Sequence, residues 1–373
     1  MRSILVLYDI RDAAQKRVAI LDHLHALDHA PADRVRVTYV NMAEVTAIDP
    51  RWIEADAIVL HTTLLVWRWS PLFGQRLALL QWLQQYRGFI VAMPQDEYDH
   101  AHALDDWLVH LNAHVVVTCL DAASRPLLYP RMHTRALFVD GLTGYLNPER
   151  VAAARAGWQP PSSRTTDIVY RANQLPFWFG WLGQLKVRLG TESPARLAPT
   201  GLRTDISVRA EDTVLGEQWL GFLGSARGIL GSESGSSVLD RRGEVGLHIR
   251  ALLADQPALT FEQTDALAGG ELTRFHFSAI GPRHLEAAML GTVQLLVEGA
   301  YSGIFRPWDH YIPVARDLSD LAEKALLLRD DALVDRMAEQ AYEDIVTSQR
   351  FSYAGFAGQL LDTLELFFQA AGR

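Results

Sequence analysis

Short apolar runs alternate with amphipathic stretches through the first half of the chain. The runs Ser3–Tyr8, Arg34–Val40, Ala57–His61, Phe89–Met93, Val115–Thr118 and Ala136–Val139 predict strands. Between them, Gln15–Leu27, Leu72–Gln85 and Ala103–Leu111 place apolar residues three and four apart and predict helices. Short apolar strands separated by helices build a parallel sheet covered on both faces. In such sheets the working loops leave the carboxyl ends of the strands.

The segment Ala156–Thr166 carries turn and breaker residues without a helical or strand period and reads as a linker. The alternation then restarts: strands at Asp167–Tyr170, Asp205–Val208, Ala226–Leu230 and Val293–Val297, helices at Leu182–Leu189, Leu215–Leu223 and around Glu286. Asp240–Phe275 has mixed polarity and reads as an insertion in the second unit. Helices close the chain over Leu318–Leu328, Ala332–Thr347 and Ala354–Ala370, the last with the apolar stripe Phe356, Leu360, Leu361, Leu364 and Phe367. The organisation expected is an α/β chain of two Rossmann-like domains, 1–160 and 161–350, with 351–373 as a terminal helix. Two such units leave a cleft, a usual place for a ligand.

Composition narrows the function. A length of 373 residues suits two domains, and 49% hydrophobic with 21% charged residues is a globular balance. A formal net charge of −9 argues against a general nucleic-acid partner. The single cysteine, Cys119, forbids an intramolecular disulfide. Asp9 follows the first apolar run at once, so that run reads as a strand and not as the apolar core of a secretory leader, and no run reaches the ~18–20 residues of a membrane span. The expected location is cytoplasmic. Tryptophan-rich Leu64–Trp69 and Leu175–Trp181 read as pocket walls and core, with loose attachment at the inner membrane face as the other reading.

The strongest chemical signal is Gly281-Pro-Arg-His-Leu-Glu-Ala-Ala-Met-Leu-Gly-Thr292, followed by the strand Val293–Val297. Pro282 suits a first helical position and Gly291 a stop. A helix N-terminus beside Arg283 offers N–H groups and a cation to phosphate, while Glu286 can accept from ribose hydroxyls; the plainer reading is an ordinary α/β helix with Glu286 solvated. An acidic glycine loop, Glu298–Gly303, then Asp309-His-Tyr-Ile-Pro313 and Asp317-Leu-Ser-Asp-Leu321 complete an ordered series. That series resembles the sugar-nucleotide domain of GT-B glycosyltransferases, and within them the spore-maturation-protein type. The resemblance covers residues 278–350 well, 167–240 loosely and the first domain only in pattern. It implies a GT-B fold whose last helix crosses back to the first domain. It also implies transfer of a sugar from a nucleotide-activated donor to a saccharide, lipid-linked or other hydroxyl acceptor, in surface polysaccharide or glycoconjugate synthesis. No cofactor or metal is expected.

Three further clusters follow predicted strands. Tyr170-Arg171 and Lys186 stand where many GT-B enzymes hold donor phosphates, with surface ion pairing as the plainer reading. The small, hydroxyl-rich run Leu230–Asp240 brings Gly231, Glu233, Ser234, Ser236 and Ser237, a recipe for a phosphate or sugar cradle or simply a flexible loop. It is neither a P-loop nor a nucleophile elbow. In Met93–Asp99, Asp96 or Glu97 would take the proton of an attacking hydroxyl, with His61 lining the same pocket or, as a lone histidine at a strand end more often is, structural; otherwise the loop is solvated and Asp96 or Asp99 caps the next helix. One departure concerns the donor sugar. Many retaining GT-B enzymes carry a glutamate eight residues before the one matched by Glu286, and here that position is Ser278, with Glu233 the candidate replacement.

Among thirteen histidines there is no His-Glu-x-x-His pattern, so a metal site is not expected. Competing functions are a sugar-nucleotide epimerase or hydrolase on the same scaffold, and a two-domain protein that binds a sugar ligand without chemistry. A dinucleotide-dependent oxidoreductase is poorer, because Asp9-Ile-Arg-Asp12 follows the first strand in place of Gly-x-Gly-x-x-Gly.

Overall fold

All six apolar runs of the first half enter one parallel sheet. It comprises β1 (Arg2–Tyr8), β2 (Val35–Asn41), β3 (Ala57–Leu60), β4 (Phe89–Ala92), β5 (Val115–Thr118) and β6 (Leu137–Asp140), in the order β2-β1-β3-β4-β5-β6. The computed structural model describes residues 1–12 and 18–372. Alternate residues part to opposite faces, as the strand period of two requires. Leu5, Leu7, Ile58, Leu60, Ile90 and Val116 meet Leu64, Trp67, Leu104 and Leu108 on one side. Ile4, Val6, Val59, Val91, Val115 and Val117 meet Leu24, Leu27 and the last helix on the other. The covering helices are α1 (Val18–Leu24), α2 (Thr62–Leu65), α3 (Phe73–Leu77), α4 (Ala101–His110), α5 (Arg125–Leu128) and α6 (Pro148–Ala156). The opening of the helix predicted at Gln15 lies outside the described residues.

The second half builds a parallel sheet of β7 (Thr166–Arg171), β8 (Thr204–Ser207), β9 (Ala226–Gly231), β12 (Val293–Val297) and β13 (Tyr311–Val314), ordered β13-β12-β9-β7-β8. A short antiparallel pair, β10 (Ser234–Ser236) with β11 (Phe277–Ala279), brackets the insertion. The helices are α7 (Gly180–Leu197), α8 (Glu217–Gly224), α9 (Glu244–Asp255), α10 (Phe261–Leu267), α11 (Pro282–Met289), α12 (Leu321–Leu326), α13 (Asp331–Ala341) and α14 (Tyr353–Ala370). Helix α14 returns to the first sheet, burying Tyr353, Phe356, Leu360, Leu361, Leu364 and Phe368 there. Six such side chains, at roughly 1.5–3 kcal/mol each, make this crossing a main tie between the halves.

Two segments cross over in ways the linear pattern does not show. Helix α6 precedes the breaker-rich linker, yet Val151 and Ala154 pack with Leu285, Ala288 and Met289 of the second half. In the other direction Leu239, Phe277 and Ala279 join the core of the first sheet. Helix α4 receives no side-chain cap. Neither Asp96 nor Asp99 caps it; the N–H groups of Ala101 and His102 instead donate to the carbonyls of Asp240 and Arg241, each at 3.0 Å. The free donors of a helix start are thus satisfied by backbone from the opposite half.

Candidate active site

Strand order reverses beside β7 in the second sheet, and loops at such a point flank a natural crevice. A cavity of about 230 Å³ lies there. Arg171, Ala172 and Asn173 after β7, Lys186 of α7, Trp219 of α8, and Pro282, Arg283 and Glu286 of α11 line it. Val18, Ala19 and Arg150 reach it from the chain's first 160 residues, so residues of both halves form the wall.

Each charged group has a definite anchor. Glu286 Oε2 accepts from Trp219 Nε1 at 2.7 Å. Burial pushes its carboxyl above the usual range, against the Trp219 bond and the Arg283 charge. Arg283 donates to the Arg171 carbonyl at 2.9 Å and lies 5.4 Å from the centre of the Trp219 ring. Lys186 Nζ donates to Ser234 Oγ at 3.1 Å. Arg171 lines the cavity but its guanidinium is engaged, donating to the carbonyls of Asp212 and Asp205 at 3.0 Å and to Asp205 Oδ1 at 2.7 Å. Its first task is therefore to pin β7 to β8.

The hydroxyl-rich run divides. Ser234 touches the cavity group Lys186, whereas Ser236 and Ser237 do not line this cavity. Ser236 Oγ donates to the Phe179 carbonyl at 3.0 Å, and Ser237 Oγ accepts from Leu182 N–H at 3.1 Å. Both fix the start of α7, because the β10–β11 pairing turns the run into a strand. Gly231 is required for packing: a Cβ there would stand 2.6 Å from Leu296 Cδ2 and 3.2 Å from His284 Cε1. Glu233, 4% exposed, accepts from Tyr301 N–H at 2.8 Å, Ser278 Oγ at 3.1 Å and His276 Nε2 at 3.3 Å. Burial raises its pKa, but the bonds from His276, Tyr301 and Ser278 outweigh burial and hold the carboxyl below its usual range. Its carboxylate therefore sits on the hydroxyl of the very residue that stands in the expected glutamate position.

The first-half candidates separate more sharply. Glu97 is 1% exposed and buried at the end of β5, accepting from Thr118 Oγ1 at 2.6 Å, Cys119 N–H at 3.0 Å and Tyr129 OH at 2.5 Å. It cannot reach an incoming hydroxyl, which corrects its candidacy as a base. His61 is 1% exposed and bonds His23 Nδ1 through Nε2 at 3.0 Å. Burial, then the neighbouring His23, lowers its pKa well below the usual value, so it is a neutral core residue and not part of a pocket with Asp96. Asp96 is exposed, at φ 49°, and accepts from Tyr98 OH at 2.5 Å. Its neighbour Gln95 donates to the Thr143 carbonyl at 3.3 Å, and Thr143 Oγ1 donates to the Ile280 carbonyl at 3.1 Å. Two bonds thus tie the loop after β4 to the residue preceding Gly281.

Sequence reasoning missed Trp219, Asn173 and Arg150 on the cavity wall. A tryptophan in an amphipathic helix and an arginine in a helix of the other half carry no local sign of convergence. It also missed the buried pair His284 Nδ1 and Gln294 Oε1, 2.8 Å apart, where burial lowers the His284 pKa to about 4. Among the described residues, no three of His, Cys, Asp and Glu converge as a metal-ligand set. No described helix is long and apolar enough to cross a membrane.

No family model and no curated protein matches the chain. Solved structures do. An α-glucosyltransferase in complex with UDP and a 13-mer DNA containing an HMU base superposes with a TM-score of 0.54 at 13% identity, over 98% of this chain and 100% of that one. HepE of Anabaena in complex with UDP-glucose gives 0.50 at 13% identity, over 98% and 100%. Sucrose-phosphate synthase from Thermosynechococcus elongatus gives 0.50 at 15% identity, over 99% and 100%. With two parallel sheets, a cavity reached from both halves and a terminal helix returning to the first sheet, the chain has the GT-B glycosyltransferase fold.

Proposed function

We propose that the chain is a glycosyltransferase that moves a sugar from a nucleotide-activated donor to a hydroxyl acceptor. The observation that carries this reading is the convergence of Lys186, Arg283, Glu286 and the start of α11 on one cavity at the strand-order reversal. Lys186 and Arg283 offset charge on the departing phosphate, helped by the N-terminal dipole of α11. Glu286, one oxygen held by Trp219, keeps the other for ribose hydroxyls. Phosphate charge is met by cations and helix N–H groups, so the proposed reaction uses no metal. UDP and UDP-glucose complexes of proteins sharing the fold support a uridine nucleotide as the first donor to try.

The acceptor comes from the first half, where Asp96 is the one proposed carboxylate exposed to solvent. Asp96 serves as base if transfer inverts the anomeric centre and only shapes the pocket if it retains. Glu233, seated on Ser278, supplies the carboxylate near the donor sugar. The ordered series from Gly281 to Leu321 supports the spore-maturation-protein type and a role in surface polysaccharide or glycoconjugate synthesis at the cytoplasmic face. Calorimetry with UDP, GDP and ADP tests the core of this reading. Binding of one of them, lost on blocking the cavity with Ala172→Trp, is expected; no binding of any removes it. Turnover of a nucleotide sugar without an acceptor would move the reading to a hydrolase or epimerase.

A further inference from the structure

A second and larger cavity, of about 770 Å³, opens between the first half and the insertion of the second. Trp69, Phe73 and Trp107 form one wall, and Trp178 and Phe179 stand on the other. The tryptophan-rich segments of the sequence are therefore walls of one groove. Trp69 is 39% exposed, and Leu247 on the α9 rim is 65% exposed.

The polar lining is balanced in charge. Arg68, Arg242 and Arg250 face Asp99, Asp106 and Asp240. Several are already committed: Arg242 donates to Asp106 at 2.6 Å, and Arg68 donates to the carbonyls of Asp99, Leu65, Gln95 and Asp96. Such a lining gives a polyanion no cationic excess to bind, unlike a nucleic-acid groove. It also penalises a bare hydrocarbon chain, which would desolvate charged groups without bonding them. A ligand with apolar faces and many neutral hydroxyls suits both the rings and the charges.

The groove adjoins the donor cavity. Phe179 lines the groove and Lys186, seven residues on, lines the cavity, which is roughly 10 Å along the helix axis. Ser236 lines the groove, while Ser234 of the same strand bonds Lys186. We propose that this groove holds the neutral saccharide portion of the acceptor, remote from the reacting hydroxyl, with the insertion 240–275 as its outer wall. The inference rests on the glycosyltransferase reading and adds the acceptor's chemical class.

The test uses the full chain on an array of neutral, anionic and alkyl-linked glycans, with UDP calorimetry run on the same preparations. Expected is retention of neutral oligosaccharides, weakened about tenfold by Trp69→Ala, as for loss of one aromatic anchor. Ala103→Trp, which fills the groove from α4, should abolish it. Both variants should keep the parent's unfolding midpoint and bind UDP within about twofold of the parent, less than a 1 kcal/mol change. A silent array for neutral glycans, retention indifferent to both substitutions, or preference for anionic or alkyl groups overturns the inference. If UDP binds and neutral glycans do not, the groove inference fails and the donor reading stands. If glycans bind in the groove and no nucleotide binds, the donor reading fails instead.

Discussion

Glu97 and Glu286 make an instructive pair. Both are drawn out of water, and burial pushes both carboxyls above their usual range. Glu97 ends a strand loop in the first half and spends its oxygens on three donors, Thr118, Cys119 and Tyr129. Glu286 sits on a helix facing a cavity and is held through one oxygen by Trp219. Burial and a shifted pKa are therefore shared by a structural carboxylate and a candidate ligand group. What separates them is what the carboxylate faces: Glu286 lines the cavity and Glu97 does not.

The largest expected effect tests the structural side. Glu97→Ala leaves three donors without an acceptor, at roughly 1–3 kcal/mol each, and should lower stability by about 4 kcal/mol in urea unfolding. UDP affinity of the folded fraction should stay as in the parent; a stable variant with lost affinity would break the contrast. Lys186→Ala should cut nucleotide-sugar turnover ~10²-fold, the usual loss for an electrostatic stabiliser. Its stability should change by less than about 0.5 kcal/mol, and turnover within twofold of the parent would return Lys186 to a merely structural bond with Ser234.

Glu286→Ala should weaken UDP binding by roughly 1.5–3 kcal/mol while the chain stays folded, read by calorimetry. Unchanged affinity would place Glu286 beside Glu97 as a structural group. The smallest effect concerns the buried histidines of the first half. Burial lowers His23 to about 4. The unfolded chain, with ordinary histidine near 6.5, then binds more protons between those values, so stability falls as pH drops below about 6.5 and is fully lost from this group near pH 4. The loss expected from His23 alone is roughly 1 kcal/mol from pH 6.5 to 5.5, and His23→Gln should reduce the slope by that share, leaving the part due to His61 and His284. An equal slope in the variant would assign the acid sensitivity elsewhere.

Much of the framework was legible because a parallel sheet writes itself into the chain as short apolar runs. Ala57–Leu60 and Val115–Val117 are buried throughout, so no polar alternation disguises them. Gly281 to Val297 was legible for another reason: the helix start, its Glu286 and the following strand are contiguous, and local chemistry is enough to order them. The loop Met93–Asp99 was not. Its three carboxylates look equivalent in sequence, yet Glu97 turns inward, Asp96 remains exposed and Asp99 bonds His100. Nothing local tells which way each side chain points, because Thr118, Tyr129 and Arg68 that decide it come from other elements.

The sequence alone determined two α/β sheets, the terminal amphipathic helix, and the segment that brings Arg283 and Glu286 to one helix start. These follow from periodicity and from residues within one or two turns of each other. Only the tertiary structure decided that Ser236 and Ser237 bond to the start of α7, that Trp219 anchors Glu286, and that Asp240 and Arg241 cap α4 from the opposite half. It alone joined the two tryptophan-rich segments, far apart in the chain, into one groove. The physical reason is the same in each case: a polar group's role depends on which partner satisfies it, and those partners lie tens to hundreds of residues away.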